Sequence, residues 1–228
     1  MTDTKITTFW SAAGGVGKTT LAVVQAQELA RQGEKVALLD FSETRPEICR
    51  HLGLPFLSPE EILPAIEEKP MVTGKIFARK GNLHVFTGVP LEQFEMFQEK
   101  HFAAIIQGAR EKFKNSIIDT NAGIFFSATA AALKASDNIN VVLRPDMPCL
   151  EDTAAMINFL SERWGINRNR FKFYLNRILP GKGELDRETA EKILGREVLV
   201  VSQKRTKPEN RLLKFFRKGG LIHAHKSL

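Results

Sequence analysis

Ten residues near the start of the chain constrain it most: Ser11-Ala12-Ala13-Gly14-Gly15-Val16-Gly17-Lys18-Thr19-Thr20. They close a β-rich run, Ile6-Thr7-Thr8-Phe9-Trp10, and open an alanine-rich helical run from Leu21 to Arg31. Strand, glycine loop and helix in that order make a phosphate-binding loop. The glycines allow the backbone N–H groups from Gly14 to Thr19 to curl around an anion without interference from Cβ atoms. Lys18 then places a charge on the outer phosphates, and the Thr19 hydroxyl is positioned to ligate Mg²⁺. The usual pattern, G-x-x-x-x-G-K-[ST], has glycine where this chain has Ala12.

At 228 residues the chain can bury one substantial core. Its hydrophobic fraction of 43% is that of a globular protein, and no apolar run approaches the ~20 residues of a membrane span. The opening Met1-Thr2-Asp3-Thr4-Lys5 runs straight into the first strand and is not a signal peptide. Cys49 and Cys149 are isolated, without C-x-x-C spacing, and read as reduced core thiols of a cytoplasmic protein. The net charge is +7. From Lys204 to Leu228 the chain carries Lys204, Arg205, Lys207, Arg211, Lys214, Arg217, Lys218 and Lys226 against the single acid Glu209, so this segment holds the whole excess.

Strand-like runs at Lys5–Trp10, Lys35–Asp40, Leu83–Thr87, Ser116–Asp119, Asn140–Leu143, Phe171–Leu175 and Val198–Val201 alternate with helical ones. The helical runs are Thr19–Gln32, Glu92–Lys114, Ala128–Lys134, Leu150–Arg163 and Arg187–Leu194. Short, wholly apolar strands such as Val36-Ala37-Leu38-Leu39 suit a parallel sheet covered on both faces. The fold class is therefore α/β, a doubly wound, mostly parallel sheet with helices on both faces, in a single domain over residues 1–228. Residues 54–81 are less regular and read as an insertion carrying a helix (Pro59–Glu68) and an extended piece (Met71–Ala78). The segment 204–228 reads as a basic C-terminal helix and tail.

Two further strands end in acids. Leu38-Leu39-Asp40 closes the second strand, where Asp40 can orient water or serve a metal's outer shell. Ile117-Ile118-Asp119 closes the fourth, where Asp119 fits the acid that holds Mg²⁺ through water. Gly123, just beyond, would let the backbone approach a terminal phosphate and swing away when it leaves. A lone Asp at a strand end is usually a cap. Three such features at strand ends, in this order, point to one site.

Gly14-Gly15-Val16-Gly17-Lys18-Thr19-Thr20, Leu39-Asp40, Ile118-Asp119-Thr120-Asn121-Ala122-Gly123 and Leu175-Asn176-Arg177 together resemble the MinD/ParA family of deviant P-loop ATPases, which act as positional switches. The resemblance covers nearly the whole chain, and Arg144-Pro145-Asp146 falls where the family commonly has a Pro-acid pair. The run from Gly81 to Pro90 resembles the CpaE/TadZ branch, which positions pilus assembly machinery. The resemblance implies ATP and Mg²⁺ as cofactors and an ATP-dependent homodimer working with a partner protein. It implies that Lys18 binds phosphates, Thr19 the Mg²⁺ and Thr20 the α-phosphate, that Asp119 holds the metal's water, and that Asn176 reads the adenine edge, for which an amide offers both donor and acceptor.

The sequence departs from the family twice. Ala13 stands where the family has a signature lysine that reaches the partner's phosphates across the dimer. Ser42 stands where many members have an acid that positions the attacking water, and Glu43, one residue along an extended segment, should point the other way. Losing a transition-state contact of this kind costs on the order of 10²–10³ in rate, so the expectation is ATP binding with weak or absent hydrolysis.

The run Asn210–Lys218 is basic and amphipathic, with Leu212, Phe215 and Phe216 on one helical face. Three readings stay open: a last helix packed on the sheet, a membrane-surface helix that would place the protein peripherally at the inner membrane, and a non-specific DNA contact. The function read from the sequence is an ATP-binding positional switch, with a non-hydrolysing nucleotide-bound scaffold and a ParA-like DNA partition ATPase as the alternatives.

Overall fold

The computed structural model describes residues 4–43, 46–55, 62–64, 66, 77–89, 95–176 and 185–201. They build an eight-stranded sheet from β1 (Lys5–Trp10), β2 (Val36–Phe41), β3 (Ala78–Lys80), β4 (Leu83–Phe86), β5 (Asn115–Thr120), β6 (Asn138–Leu143), β7 (Phe171–Asn176) and β8 (Val198–Val201). The spatial order is β3-β4-β2-β5-β1-β6-β7-β8, with every neighbouring pair parallel except the edge pair β3/β4. From β1 the chain first winds toward β2 and β4, returns through β5, and then crosses β1 to add β6, β7 and β8. The winding therefore reverses at β1, and the crevice at the carboxyl ends of β1 and its neighbours is where such sheets hold ligands.

The helices are α1 (Lys18–Arg31), α2 (Ile48–Leu52), α3 (Glu99–Lys112), α4 (Ser127–Ala135), α5 (Met147–Arg163) and α6 (Arg187–Leu194). Alternation along the strands splits the apolar residues into two cores. Val36 and Leu38 of β2 and Ile117 of β5 pack with Leu21, Ala22 and Ala26 of α1 and with Leu150, Ile157 and Leu160 of α5. Ala37, Leu39 and Phe41 of β2 and Ile118 of β5 face the other way, against Phe102, Ile105 and Ile106 of α3 and Ala128, Ala131 and Ala132 of α4. Strands β2 and β5 thus serve both cores, which is why their runs read as continuously apolar.

Four elements differ from the sequence expectation. The helix expected over Glu92–Lys114 begins only at Glu99, because Gln98 and His101 form a capping box in which the Gln98 N–H donates to His101 Nδ1 at 3.0 Å. Helix α5 starts at Met147 rather than Leu150, since Asp146 caps it and Pro148 sits in its first turn. Helix α2 and strand β3 carry no periodic signal long enough to announce them. Of the expected insertion helix, residues 62–64 and 66 are helical, with Ile62 and Ile66 buried in the second core. Most of the expected extended piece, and the basic segment 204–228, lie outside the described residues.

Candidate functional site

Helix α1 begins on a backbone that only glycine adopts without strain. Gly15 has φ 67°, and Gly17, the N-cap of α1, has φ 96°. The cap makes no side-chain hydrogen bond and the first turn holds no acid, so the positive end of the helix is offered to an outside anion. A Cβ on Gly14 would meet no protein atom, so the space above the loop is open to a ligand. Val16, by contrast, is buried, and its carbonyl accepts a 2.8 Å hydrogen bond from Asn176 Nδ2 at the end of β7. The loop is thus clamped from within and open at its rim.

Lys18 is 8% exposed. Its Nζ donates to Ser11 Oγ at 3.0 Å, and Ser11 Oγ in turn donates to the Ala13 carbonyl. Burial lowers the Lys18 pKa, while the nearby Asp119 carboxylate works against that shift. Thr19 is half-buried and Thr20 exposed.

Asp119 and Asp40 stand side by side in register on β5 and β2. Burial, and then the neighbouring Asp40 charge, push Asp119 up to about 7, against the pull of the Thr19 hydroxyl and the Lys18 ammonium. Asp119 is fully buried, and neither of its oxygens has a well-formed hydrogen bond to the described residues. An orphaned carboxylate beside a threonine hydroxyl and a lysine is a hard-oxygen setting suited to a Mg²⁺-sized cation or its water.

Asp40 is used differently. Its Oδ1 accepts from Ser42 N at 3.1 Å, and its Oδ2 accepts from Glu47 N at 2.8 Å and Ile48 N at 2.9 Å. The carboxylate therefore ties down the start of α2. Burial pushes it to about 6 even though these N–H groups favour its ionised form. Ser42, at the position of the missing acid, gives both its N–H and its hydroxyl to Asp40. Glu43 does point elsewhere: it is buried, its Oε1 accepts from Ala128 N at the start of α4, and its own N–H donates to Asn121 Oδ1 at 2.7 Å.

The structure brings Lys18, Thr19, Asp40, Asp119 and Asn176 to the same end of the sheet and around the loop. It also supplies partners that sequence reading passed over. Trp10 Nε1 donates to the Gly123 carbonyl at 2.6 Å, and Gly123 N donates to Ser11 O at 2.9 Å, so the loop after β5 is fastened to the strand that feeds the phosphate loop. Gly123 has φ 79°, which explains the residue type. Arg144, past the end of β6, places Nη1 3.5 Å from the Gly14 carbonyl. Its signal in the sequence was a basic residue beside a Pro-acid pair. Cys49 and Cys149 are buried and unpaired, in α2 and α5.

Residues 3–92 match the family model described as ParA, NUBPL iron-transfer P-loop NTPase. The septum site-determining protein MinD of Thermotoga maritima is 28% identical over 200 residues, covering 84% of this chain and 72% of that protein. Among solved structures, MinD of Pyrococcus horikoshii complexed with Mg-ADP superposes with a TM-score of 0.77 at 19% identity, covering 94% of this chain and 95% of that one. A ParA family ATPase of Chlorobium tepidum superposes with a TM-score of 0.75 at 15% identity, over 94% and 98% of the two chains. Sheet order, loop geometry and these likenesses agree: the fold is that of the MinD and ParA ATPases, and the amino-terminal part of the chain, with its phosphate loop, is similar to the ParA-type P-loop NTPases.

Proposed function

We propose that this chain binds ATP with Mg²⁺ and works as a MinD/ParA-type positional switch that hydrolyses its nucleotide weakly or not at all. The observation that carries the reading is the buried pair at the floor of the loop: Lys18 on Ser11, and beside it Asp119, whose two oxygens have no well-formed hydrogen bond among the described residues. A triphosphate and its cation complete the charges that these two groups leave open. The N–H groups from Gly14 through Gly15, Val16 and Gly17 to Thr19 receive phosphate oxygens, with Lys18 on the outer phosphates and Thr20 on the α-phosphate. Thr19 Oγ1 ligates Mg²⁺ and Asp119 holds its water; the bound metal supplies charge neutralisation of the phosphates. Asn176, with Nδ2 committed to Val16, keeps Oδ1 for the adenine edge. Asp40, in register beside Asp119 at the end of β2, orients a water near the metal.

Weak hydrolysis follows from Ala13 and Ser42, which bring neither a cation nor an acid to the terminal phosphate. A switch of this kind is expected to pair as an ATP-dependent homodimer and to position a partner, such as a pilus, secretion or conjugation assembly. The basic run Lys204–Lys218 favours a second reading at the level of the partner surface, a polyanion: duplex DNA for a partition ATPase, or an anionic membrane. Salt titrations of duplex and anionic-liposome binding, each with and without ATP, separate the two.

Measuring Mg·ATP affinity and single-turnover hydrolysis separately tests the central claim. Wild type is expected to bind, Lys18→Ala to lose about 100-fold or more in affinity, and bound ATP to persist over many minutes. Turnover as fast as that of active relatives would sink the weak-hydrolysis claim. Absence of binding would sink the nucleotide reading itself.

A further inference from the structure

The phosphate loop holds one cation, Lys18, and it is sunk beneath the loop on Ser11. Positions 12 and 13 on the outer rim carry only methyl groups. The floor already contains the two carboxylates of Asp40 and Asp119. An incoming triphosphate therefore meets an electrostatic deficit at its terminal end, where Lys18 is the loop's one cation against the charge of the outer phosphates.

Arg144 stands beside Gly14, at the rim of the loop. It follows β6, the strand that flanks β1, and its side chain is 47% exposed. Two contacts fix it over the loop. Nε donates to Asp146 Oδ2, while Asp146 Oδ1 accepts from Cys149 N at 3.0 Å and so caps α5. The guanidinium is thus held by a carboxylate that is itself held by a helix. The backbone beside it is pinned too, since the Pro145 carbonyl accepts from Leu185 N at 2.9 Å. Nη1 rests 3.5 Å from Gly14 O, at the long limit of a hydrogen bond, and Nη2 has no partner among the described residues. A phosphate oxygen offers such a group a charge-assisted bond roughly twice as strong as a neutral carbonyl does.

We propose that Arg144 is the outer cation of the phosphate site, exchanging its long contact with Gly14 for the terminal phosphate of a bound nucleoside triphosphate and so compensating in part for the alanine at position 13. The proposal rests on the nucleotide reading above. It makes Arg144 a residue that discriminates triphosphate from diphosphate, because the diphosphate lacks the group it reaches. It also explains why Asp146 spends one oxygen on the arginine and the other on the helix: the pair sets the guanidinium's position through Nε and leaves the Nη donors to face the loop.

Calorimetric titration of Mg·ATP and Mg·ADP into wild type, Arg144→Gln and Arg144→Lys tests it. Arg144→Gln is expected to lose about tenfold or more in Mg·ATP affinity, with Mg·ADP affinity within about twofold. Arg144→Lys should recover part of the loss, since an ammonium supplies the charge without the planar fork. Equal loss for both nucleotides would show a merely structural role in holding the loop, and an unchanged ATP affinity would show no role; either overturns the proposal while wild-type binding leaves the nucleotide reading standing. A wild type that binds neither nucleotide overturns both.

Discussion

Asp40 and Asp119 are the residues on which the ligand-free site is least comfortable. Both are buried, they lie in register on adjacent strands, and each raises the cost of ionising the other. Their folded-state values, about 6 and about 7, stand above the ordinary carboxylate value, so the folded chain holds protons that the unfolded chain has lost. Stability of the ligand-free protein therefore falls as pH rises through the window from about 4 to about 7, and the penalty is fully present above it. Thermal unfolding from pH 5 to pH 8 should show that decline. Asp119→Asn should flatten it and raise ligand-free stability at pH 8 by about 1–3 kcal/mol, while weakening Mg²⁺-dependent nucleotide binding. A wild-type profile that is flat or rising across the window would contradict this account. At this scale the sequence was a good guide to which residues gather but a poor one to how each is used. Asp40 and Asp119 have the same strand-end signature. One is absorbed by the N–H of Ser42 and by the N–H groups of Glu47 and Ile48 at the start of a helix that the sequence does not announce, and the other is left without a well-formed hydrogen bond among the described residues.

Among the elements, those with strong periodicity were legible and those shaped by a single contact were not. Seven of the eight strands fall within two residues of the apolar runs that signal them, because a strand buried on both faces has to be apolar throughout. Helix α2 has five residues and exists because Asp40 receives its first amides. No window of hydrophobicity contains that information. The same is true of the run from Gly81 to Pro90. Its resemblance to a pilus-positioning branch falls on ordinary architecture, strand β4 and the turn after it, and Gly88 there has φ 85°. A Cβ at Gly88 would lie 2.6 Å from Pro46 Cβ and 3.3 Å from the Asp40 carbonyl. Gly88→Ala is thus expected to destabilise the protein by about 2–4 kcal/mol through backbone strain and crowding, and to loosen the segment leading into α2. Urea unfolding measures the first effect. A loss under 1 kcal/mol would mean that Pro46 gives way without cost.

In the whole molecule, one sheet separates two cores, and the site sits at the edge where the sheet changes its direction of winding. The loops there are tied to the strands rather than to one another at random: Trp10 of β1 holds Gly123 beyond β5, and Asn176 of β7 holds Val16. Trp10 is fully buried and reports on both the phosphate loop and the loop after β5. In a Trp164→Phe background it becomes the sole indole of the chain's two. Mg·ATP is expected to change its emission saturably, and Lys18→Ala to abolish the change. An emission that ignores a nucleotide shown to bind by calorimetry would mean that the two loops do not move together.

The place of β1 has one more consequence, for the order in which the molecule can be built. The strand that bears the phosphate loop is made first, yet its two flanking strands, β5 and β6, are paired through Lys5 with Asn115 and through Thr7 with Asn138. On a ribosome the loop must wait, unframed, while more than a hundred further residues are synthesised. Contacts so distant in sequence form late and slowly. Nucleotide can therefore reward only a chain that has emerged beyond β6, and its capture marks the end of assembly rather than the beginning.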